Sequence, residues 1–337
     1  MRLKDQPCIL VTGADGFIGS HLVEALAGAG CRVRAMALYN AEGRHGWLEA
    51  LPPALRPAVE VVLGDVRDPA SAAAAVQGAT VVFHLAALVA IPYSYRAPQS
   101  YVDTNVTGTL VMLQAARAAG VARFVHTSTS EVYGTARQVP IGEDHPLNAQ
   151  SPYAATKVAA DQMALACHRS FGIPVTVVRP FNAYGPRQSG RGVVPSILVQ
   201  ALAGRERIRL GALHPTRDFT FVQDTARGFM ALAEADAAVG EVANLGTGHE
   251  IAVGDLLDLI GEVLGRPLAP EADAQRLRPA TSEVERLVAS AAKAERLAGW
   301  RPLHTGREGL RRGLAATAAW FAEPAHLARY KADVYGV

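Results

Sequence analysis

Tyr153 and Lys157 lie four positions apart in the run SPYAATK, at the start of a predicted helix. That spacing puts both side chains on one face. A phenol titrating near 10 is a poor base at neutral pH, but an ammonium beside it favours the phenolate. Lys157 has the reach to do this and to hold a ribose hydroxyl as well. The plainer reading is a solvated Tyr/Lys pair. Upstream runs Thr127-Ser128-Thr129-Ser130-Glu131-Val132-Tyr133-Gly134. Thr129 or Ser128 suits a hydrogen bond to a sugar hydroxyl. Glu131 is the one carboxylate of the run, and a carboxylate beside a ketone can remove an α-proton. Its plainer roles are a helix cap or a salt bridge.

A second constellation is Gly13-Ala14-Asp15-Gly16-Phe17-Ile18-Gly19. A dinucleotide pyrophosphate needs a tight turn, backbone free of Cβ atoms, and a helix N-terminus with free N–H groups. Three glycines three apart, between an apolar run and a helical pattern, supply these, although the spacing is G-x-x-G-x-x-G and not G-x-G-x-x-G. The acidic residue that often holds a ribose about 20 residues on is missing. Ala37 falls there, followed by Leu38, Tyr39 and Asn40. No carboxylate repels a 2′-phosphate, and Arg34 or Arg44 could meet one, so NAD is expected with NADP left open. Asp65, in Leu-Gly-Asp-Val, suits an adenine amine with the Val66 backbone beside it, or else a helix cap before Asp68-Pro69.

These groups need a frame. Apolar runs at 8–12, 32–38, 59–63, 80–85, 123–127 and 174–178 alternate with helical patterns at 17–29, 69–76, 100–119 and 153–171. Such alternation, with nearly continuous apolar strands, predicts an α/β doubly wound parallel sheet of the Rossmann type. Strand ends would carry the chemistry. Beyond residue 180 Pro and Gly recur. We read 1–180, with a return near 219–248, as the dinucleotide-binding domain. Residues 181–218 and 249–337 are read as a smaller α/β substrate-binding domain.

The 337 residues are half apolar and 19% charged, which is ample for a core. Net charge is +2 and aromatics are 6%, so a nucleic-acid partner is not expected. Cys8, Cys31 and Cys167 show neither metal spacing nor a disulfide framework, which fits a reducing compartment. With no convincing secretory signal and no 18-residue apolar run, a cytoplasmic protein without a membrane partner is expected. No metal site is expected; His84 has no second ligand at metal spacing.

Together these motifs resemble a family. VTGADGFIGSHL, GDVRD, VVFHLAA, TSTSEVYG, SPYAATK, VVRPFNAYGPRQ, RDFTFVQDTARGF, NLGTG and RPATSEVERLVAS occur over about residues 8–320 in the order of extended short-chain dehydrogenases/reductases, specifically nucleotide-sugar epimerases and dehydratases. FHLAALVAIPYSY, YVDTNVTGTL, GPRQSGRGVVPSI, LHPTRDF and the Tyr39-Asn40 strand end are most similar to bacterial GDP-N-acetylglucosamine 4,6-dehydratases of the legionaminic-acid type. The resemblance implies a 4,6-dehydratase, a lyase that forms a 4-keto-6-deoxy sugar from a GDP- or UDP-N-acetylglucosamine.

It assigns cofactor contacts to Gly13, Gly16, Phe17, Ile18, Gly19, Tyr39, Asn40, Asp65, Val66, Leu85, Ala86, Ala87, Thr127, Tyr153 and Lys157. Tyr153 would take the C4 hydroxyl proton with Thr129 sharing that hydroxyl, and Glu131 would take the C5 proton. Where many dehydratases carry Asp-Glu, this chain has Ser130-Glu131. A Ser-Glu pair also resembles UDP-glucuronate decarboxylases, and a 4-epimerase would share Tyr153, Lys157 and Thr129. Asn182, Arg217 and Arg278 match contacts to diphosphate or sugar; arginine forks suit phosphates. Tyr93, Ser94 and Arg187 are further sugar-pocket candidates, and Asn105 is read as a helix anchor near the site. A homodimer through helices 100–119 and 153–171 is implied.

Overall fold

In this computed structural model residues 1–334 are described. Seven strands form one sheet: β1 (Ile9–Thr12), β2 (Val33–Leu38), β3 (Val59–Gly64), β4 (Val81–His84), β5 (Arg123–Thr127), β6 (Val175–Pro180) and an edge strand, Val242–Leu245. Their order is edge strand, β6, β5, β4, β1, β2, β3. Every neighbouring pair is parallel. The chain runs outward from β1 through β2 to β3, then crosses back to β4 on the other side of β1. That reversal opens a crevice at the carboxyl ends of β1 and β4.

Alternate strand residues face opposite layers. Ile9, Val11, Val81 and Phe83 pack with Leu22 and Leu26 of helix α1 (Phe17–Gly28) and with Phe229 and Leu232 of helix Val222–Glu234. Leu10, Val82 and Phe124 face Ala72 and Val76 of helix α2 (Pro69–Val76), Met112 of helix Gly108–Ala119, and Ala164 and Leu165 of helix Pro152–Phe171. Burial on both faces explains the unbroken apolar strand sequences.

Helix ends follow local chemistry. Ser151 accepts from the Ala154 N–H at 3.1 Å and Pro152 takes the first helical position, so Tyr153 sits in the first turn. Asp68 caps α2 through the Ser71 N–H at 2.7 Å.

Two expectations need correction. The helix expected at 100–119 is broken: Pro98–Tyr101 is one turn, Val102–Thr107 is a wide π-type turn, and Gly108–Ala119 is the regular helix. Of the stretch near 219–248 expected to return to the main sheet, only the edge strand Val242–Leu245 does so. Thr220–Phe221 pairs with Ala183–Tyr184 in a separate ribbon. The physical reason is that Phe219 and Phe221 bury against Tyr184, with ring centroids 6.2 and 5.5 Å apart. That packing belongs to a second core, built on helices Val193–Leu202, Val253–Leu264 and Gly306–Ala322.

Candidate active site

The glycine turn leaves β1 directly into the crevice. Gly13 has φ +63°, and a Cβ there would lie 2.8 Å from the Ala86 nitrogen. At Gly19 a Cβ would lie 2.1 Å from the Gly13 carbonyl oxygen. Only glycine lets α1 close onto its own turn and the turn onto the β4 end. Gly16 is the N-cap of α1 and offers no side-chain acceptor, so the first N–H groups of the helix face the crevice uncapped. The cavity in front of them measures about 700 Å³. It extends from Ala37 and Asp65, at the ends of β2 and β3, to Glu131, Tyr153 and Asn182 beyond β5 and β6. Phe17, Ile18, Val66, Leu85, Ala86, Ala87, Thr127 and Lys157 also line it.

A buried polar chain fixes this crevice from beneath. Thr12 Oγ1 accepts from the Leu85 and Ala86 N–H groups at 3.2 and 3.1 Å and meets His84 Nδ1 at 2.9 Å. His84 Nε2 lies 3.1 Å from Thr109 Oγ1, which itself donates to the Asn105 carbonyl at 2.6 Å. The Thr109 hydroxyl proton is therefore spent, so His84 Nε2 is the donor and Nδ1 accepts from Thr12. His84 is neutral: burial drives its pKa far down, and His126 and Lys157 push the same way. Asn105 bonds both the N–H and the carbonyl of Leu88 and donates to Thr156 at 3.0 Å; Thr156 donates to the Tyr153 carbonyl. One network thus connects the glycine turn to the turn of helix that bears Tyr153, and Asn105 acts from the wide turn.

Tyr153 and Lys157 are both buried, and the Lys157 ammonium donates to the Thr127 carbonyl. Burial pushes the lysine down to about 8, against the pull of Asp161. The phenol moves opposite to the sequence expectation. Burial raises it well above 10; the Thr129 hydroxyl lowers it, while Glu131, Tyr101 and Asp161 raise it further. Burial is the largest influence on it, so the phenol keeps its proton until positive charge is added nearby. Thr129 Oγ1 accepts the Glu131 N–H at 3.2 Å, and its own proton is directed at the Tyr153 phenol oxygen. Ser130 and Glu131 line the cavity and are buried.

Asp161, one helical turn beyond Lys157, escaped the sequence reading. Its carboxylate accepts from Ser128 Oγ at 2.7 Å and from Arg179 at 3.0 and 3.1 Å, and lies 3.2 Å from His126. Burial would raise it, but His126, Arg179 and Ser128 together hold it below the usual carboxylate range. This brace joins the helix carrying Tyr153 and Lys157 to the strand end carrying Thr127, Thr129 and Glu131. Its only sequence signal is a buried-face Asp on an apolar helix stripe.

A second charged group stands over Glu131. Arg278 lies 3.8 Å from Glu131 and 3.7 Å from Glu283, and Arg217 donates to Glu283 at 3.2 Å. Buried nitrogens of Arg278 (Nη1) and Asn182 (Nδ2) have no hydrogen-bond partner. Tyr93 lines the cavity.

Of the other expected contacts several lie away from the cavity, whereas Asp65 lines it. Tyr39 is 69% exposed, and Asn40 caps its own loop through the Glu42 and Arg44 N–H groups; neither lines the cavity. Ser94 is buried and donates to the Ile91 carbonyl, closing a helical turn. Arg187, at a positive φ of 69°, points at α1, where the Glu24 carboxylate at 2.6 Å and Ser20 at 3.4 Å hold its guanidinium. Asp65 is held in a bidentate pair with Arg67, and the cap of α2 is Asp68.

Comparison with known proteins agrees with this geometry. A family model described as GDP-mannose 4,6 dehydratase matches residues 10–313. A dTDP-glucose 4,6-dehydratase from an Actinoplanes species is 36% identical over 77% of this chain and 82% of its own length. A UDP-glucose 4-epimerase from Mycolicibacterium smegmatis is 35% identical over 93% of this chain and 97% of its own. Among solved structures, a double mutant of the dTDP-glucose 4,6-dehydratase DesIV from Streptomyces venezuelae, with NAD bound, superposes with TM-score 0.83 at 32% identity, covering 94% of this chain and 97% of that one. These relatives carry thymidine and uridine nucleotides in their names, and the narrower likeness to GDP-N-acetylglucosamine enzymes gains no support from them. With a glycine turn, a Tyr-Lys helix and a hydroxyl-rich strand end converging on one cavity, the chain belongs to the GDP-mannose 4,6-dehydratase-like family of extended short-chain dehydrogenases/reductases, whose members are nucleotide-sugar 4,6-dehydratases and 4-epimerases.

Proposed function

We propose that the chain is an NAD-dependent nucleotide-sugar 4,6-dehydratase. The observation that carries this reading is Glu131: a buried carboxylate in the same cavity as Tyr153 and Thr129, beside the Arg278 guanidinium. An epimerization at C4 has no use for it. The residues present fit a dinucleotide: the Gly13–Gly19 turn leaves room for a pyrophosphate against the uncapped α1 N-terminus. The Gly13–Gly19 turn would hold NAD+, which would supply reversible hydride acceptance for the sugar carbon chemistry.

The rest falls to side chains. Tyr153, in contact with Thr129, receives the C4 hydroxyl proton; it needs added positive charge nearby to do so, since burial alone holds the phenol protonated. Lys157, anchored on Thr127, carries part of that charge and would hold a ribose hydroxyl of the cofactor. Once C4 is a ketone, the C5 proton is acidic, and Glu131 removes it. The C6 hydroxyl leaves as water, with its proton supplied by Glu131 or through Ser130, the next hydroxyl of the run. Arg217, Arg278 and the free amide of Asn182 hold the diphosphate.

For the sugar, the proposal puts GDP- or UDP-N-acetylglucosamine first, supported by the motif resemblance at 83–95 and 185–197, with dTDP-glucose as comparison. Incubation of the purified chain with each, followed by mass measurement of the product, tests it. Loss of 18 Da supports dehydration. Unchanged mass with an inverted C4, or loss of carbon dioxide from UDP-glucuronate, would replace it with an epimerase or a decarboxylase.

A further inference from the structure

The end of β2 lacks the carboxylate that usually holds a ribose, and Ala37 and Leu38 line the cavity there. A carboxylate arrives from another direction. Asp15, inside the glycine turn between Gly13 and Gly16, lines the same cavity beside these two residues. Its placement is fixed on two sides. The Ala14 N–H donates to the Met36 carbonyl at 3.1 Å, pinning the turn to β2. The Trp47 N–H donates to the Asp15 carbonyl at 3.0 Å, and Gly46 packs so close that a Cβ on it would come within 2.9 Å of Asp15 Cβ. These contacts fix the backbone of Asp15 beside the end of β2.

The charges around it point one way. Burial raises the Asp15 carboxyl, its own N–H and that of Leu38 partly offset this, and among the described residues no cation is paired with it. The arginines that a 2′-phosphate would need are engaged. Arg34 bonds Glu60 and the Ala75 and Gln77 carbonyls on the outer side of β2. Arg44 pairs with Glu49 through two nitrogens, in a loop that Asn40 holds in shape. Arg67 is clamped to Asp65.

We propose that Asp15 selects the cofactor: it accepts a hydrogen bond from the 2′-hydroxyl of the adenosine ribose and repels a 2′-phosphate, so NAD is preferred to NADP. A carboxylate from the glycine turn thus takes over a role that the β2 end leaves vacant. The hydrogen bond is charge-assisted, and the phosphate would bring up to two negative charges against an unpaired carboxylate. This inference rests on the dinucleotide reading of the cavity but not on which sugar reaction follows.

The test is binding, without sugar substrate. The chain is freed of nucleotide by mild denaturation and refolding, and dissociation constants for NAD+ and NADP+ are measured by titration calorimetry for wild type, Asp15→Asn and Asp15→Ser. Melting curves confirm which variants are folded. Wild type is expected to bind NAD+ at least tenfold more tightly than NADP+. Each folded variant should lower that ratio at least tenfold, through weaker NAD+ binding and stronger NADP+ binding. A wild type that prefers NADP+, or a ratio unchanged in the folded variants, overturns the assignment of Asp15 alone. Should neither variant fold, a wild-type preference for NADP+ still overturns the assignment. Binding of neither dinucleotide by wild type overturns the cofactor site, and this assignment with it.

Discussion

Lys157→Met separates the chemistry of the site from its stability. The Lys157 side chain is buried, and its pKa falls from 10.5 to about 8. At 1.36 kcal/mol per pH unit, keeping this ammonium charged inside the protein costs about 3 kcal/mol near neutral pH. Methionine is unbranched, similar in length and apolar, so it removes that cost while filling the space. It also removes the donor to the Thr127 carbonyl, worth about 1 to 3 kcal/mol if the oxygen stays dry. At pH 7 the variant should thus be as stable as wild type or up to about 2 kcal/mol more stable, although turnover is lost.

The pH dependence is sharper. Between about 8 and 10.5 the unfolded lysine holds a proton that the folded one has released, so wild-type stability gains with rising pH across that window. The variant lacks this gain. Urea melts of both proteins, freed of nucleotide, at intervals from pH 7 to 10 give the difference directly, and other groups cancel in it. The advantage of the variant should shrink by about 3 kcal/mol over the range. A difference constant with pH, or a variant destabilised by several kcal/mol at pH 7, would falsify the reading of Lys157 as a buried, strained ammonium.

Three other outcomes are expected. Glu131→Gln should abolish water loss, slowing it by about 100- to 10,000-fold, yet still permit C4 oxidation; reduced nicotinamide absorbing at 340 nm would then accumulate, and a variant that dehydrates at the normal rate would remove Glu131 from the mechanism. Arg217→Ala should raise KM for the nucleotide sugar by about 10- to 100-fold, corresponding to about 1.5–3 kcal/mol for a charge-assisted contact, with kcat changed far less; an unaltered KM would place the diphosphate elsewhere. Gly19→Ala drives a Cβ to 2.1 Å from the Gly13 carbonyl, a backbone atom that cannot step aside. NAD+ binding measured by calorimetry should therefore fall below detection, and normal affinity would show that the turn is not the pyrophosphate cradle.

The sequence by itself determined the repeating β/α order, the glycine turn and the Tyr153/Lys157 pair, because each is local. Strand burial on both faces writes itself as unbroken apolar runs, helix caps such as Ser151-Pro152 lie within four residues of what they cap, and an i, i+4 pair shares a face in any helix. It also placed Thr129 and Glu131 at a strand end, since β5 stops where its apolar run stops. Tertiary structure alone decided what depends on burial and on distant partners. The phenol is raised and not lowered because desolvation is the largest influence on it, which no spacing reveals. Asp161 braces the site only because Arg179, Ser128 and His126, distant in sequence, converge on it. Arg187 looked like a cleft residue and is turned onto α1. Asp15, an ordinary turn residue in the sequence, stands at the end of β2 because the turn is pinned there by Met36 and Trp47. Electrostatics in a folded protein is set by what lies within a few ångströms, and the chain brings those neighbours from anywhere along its length.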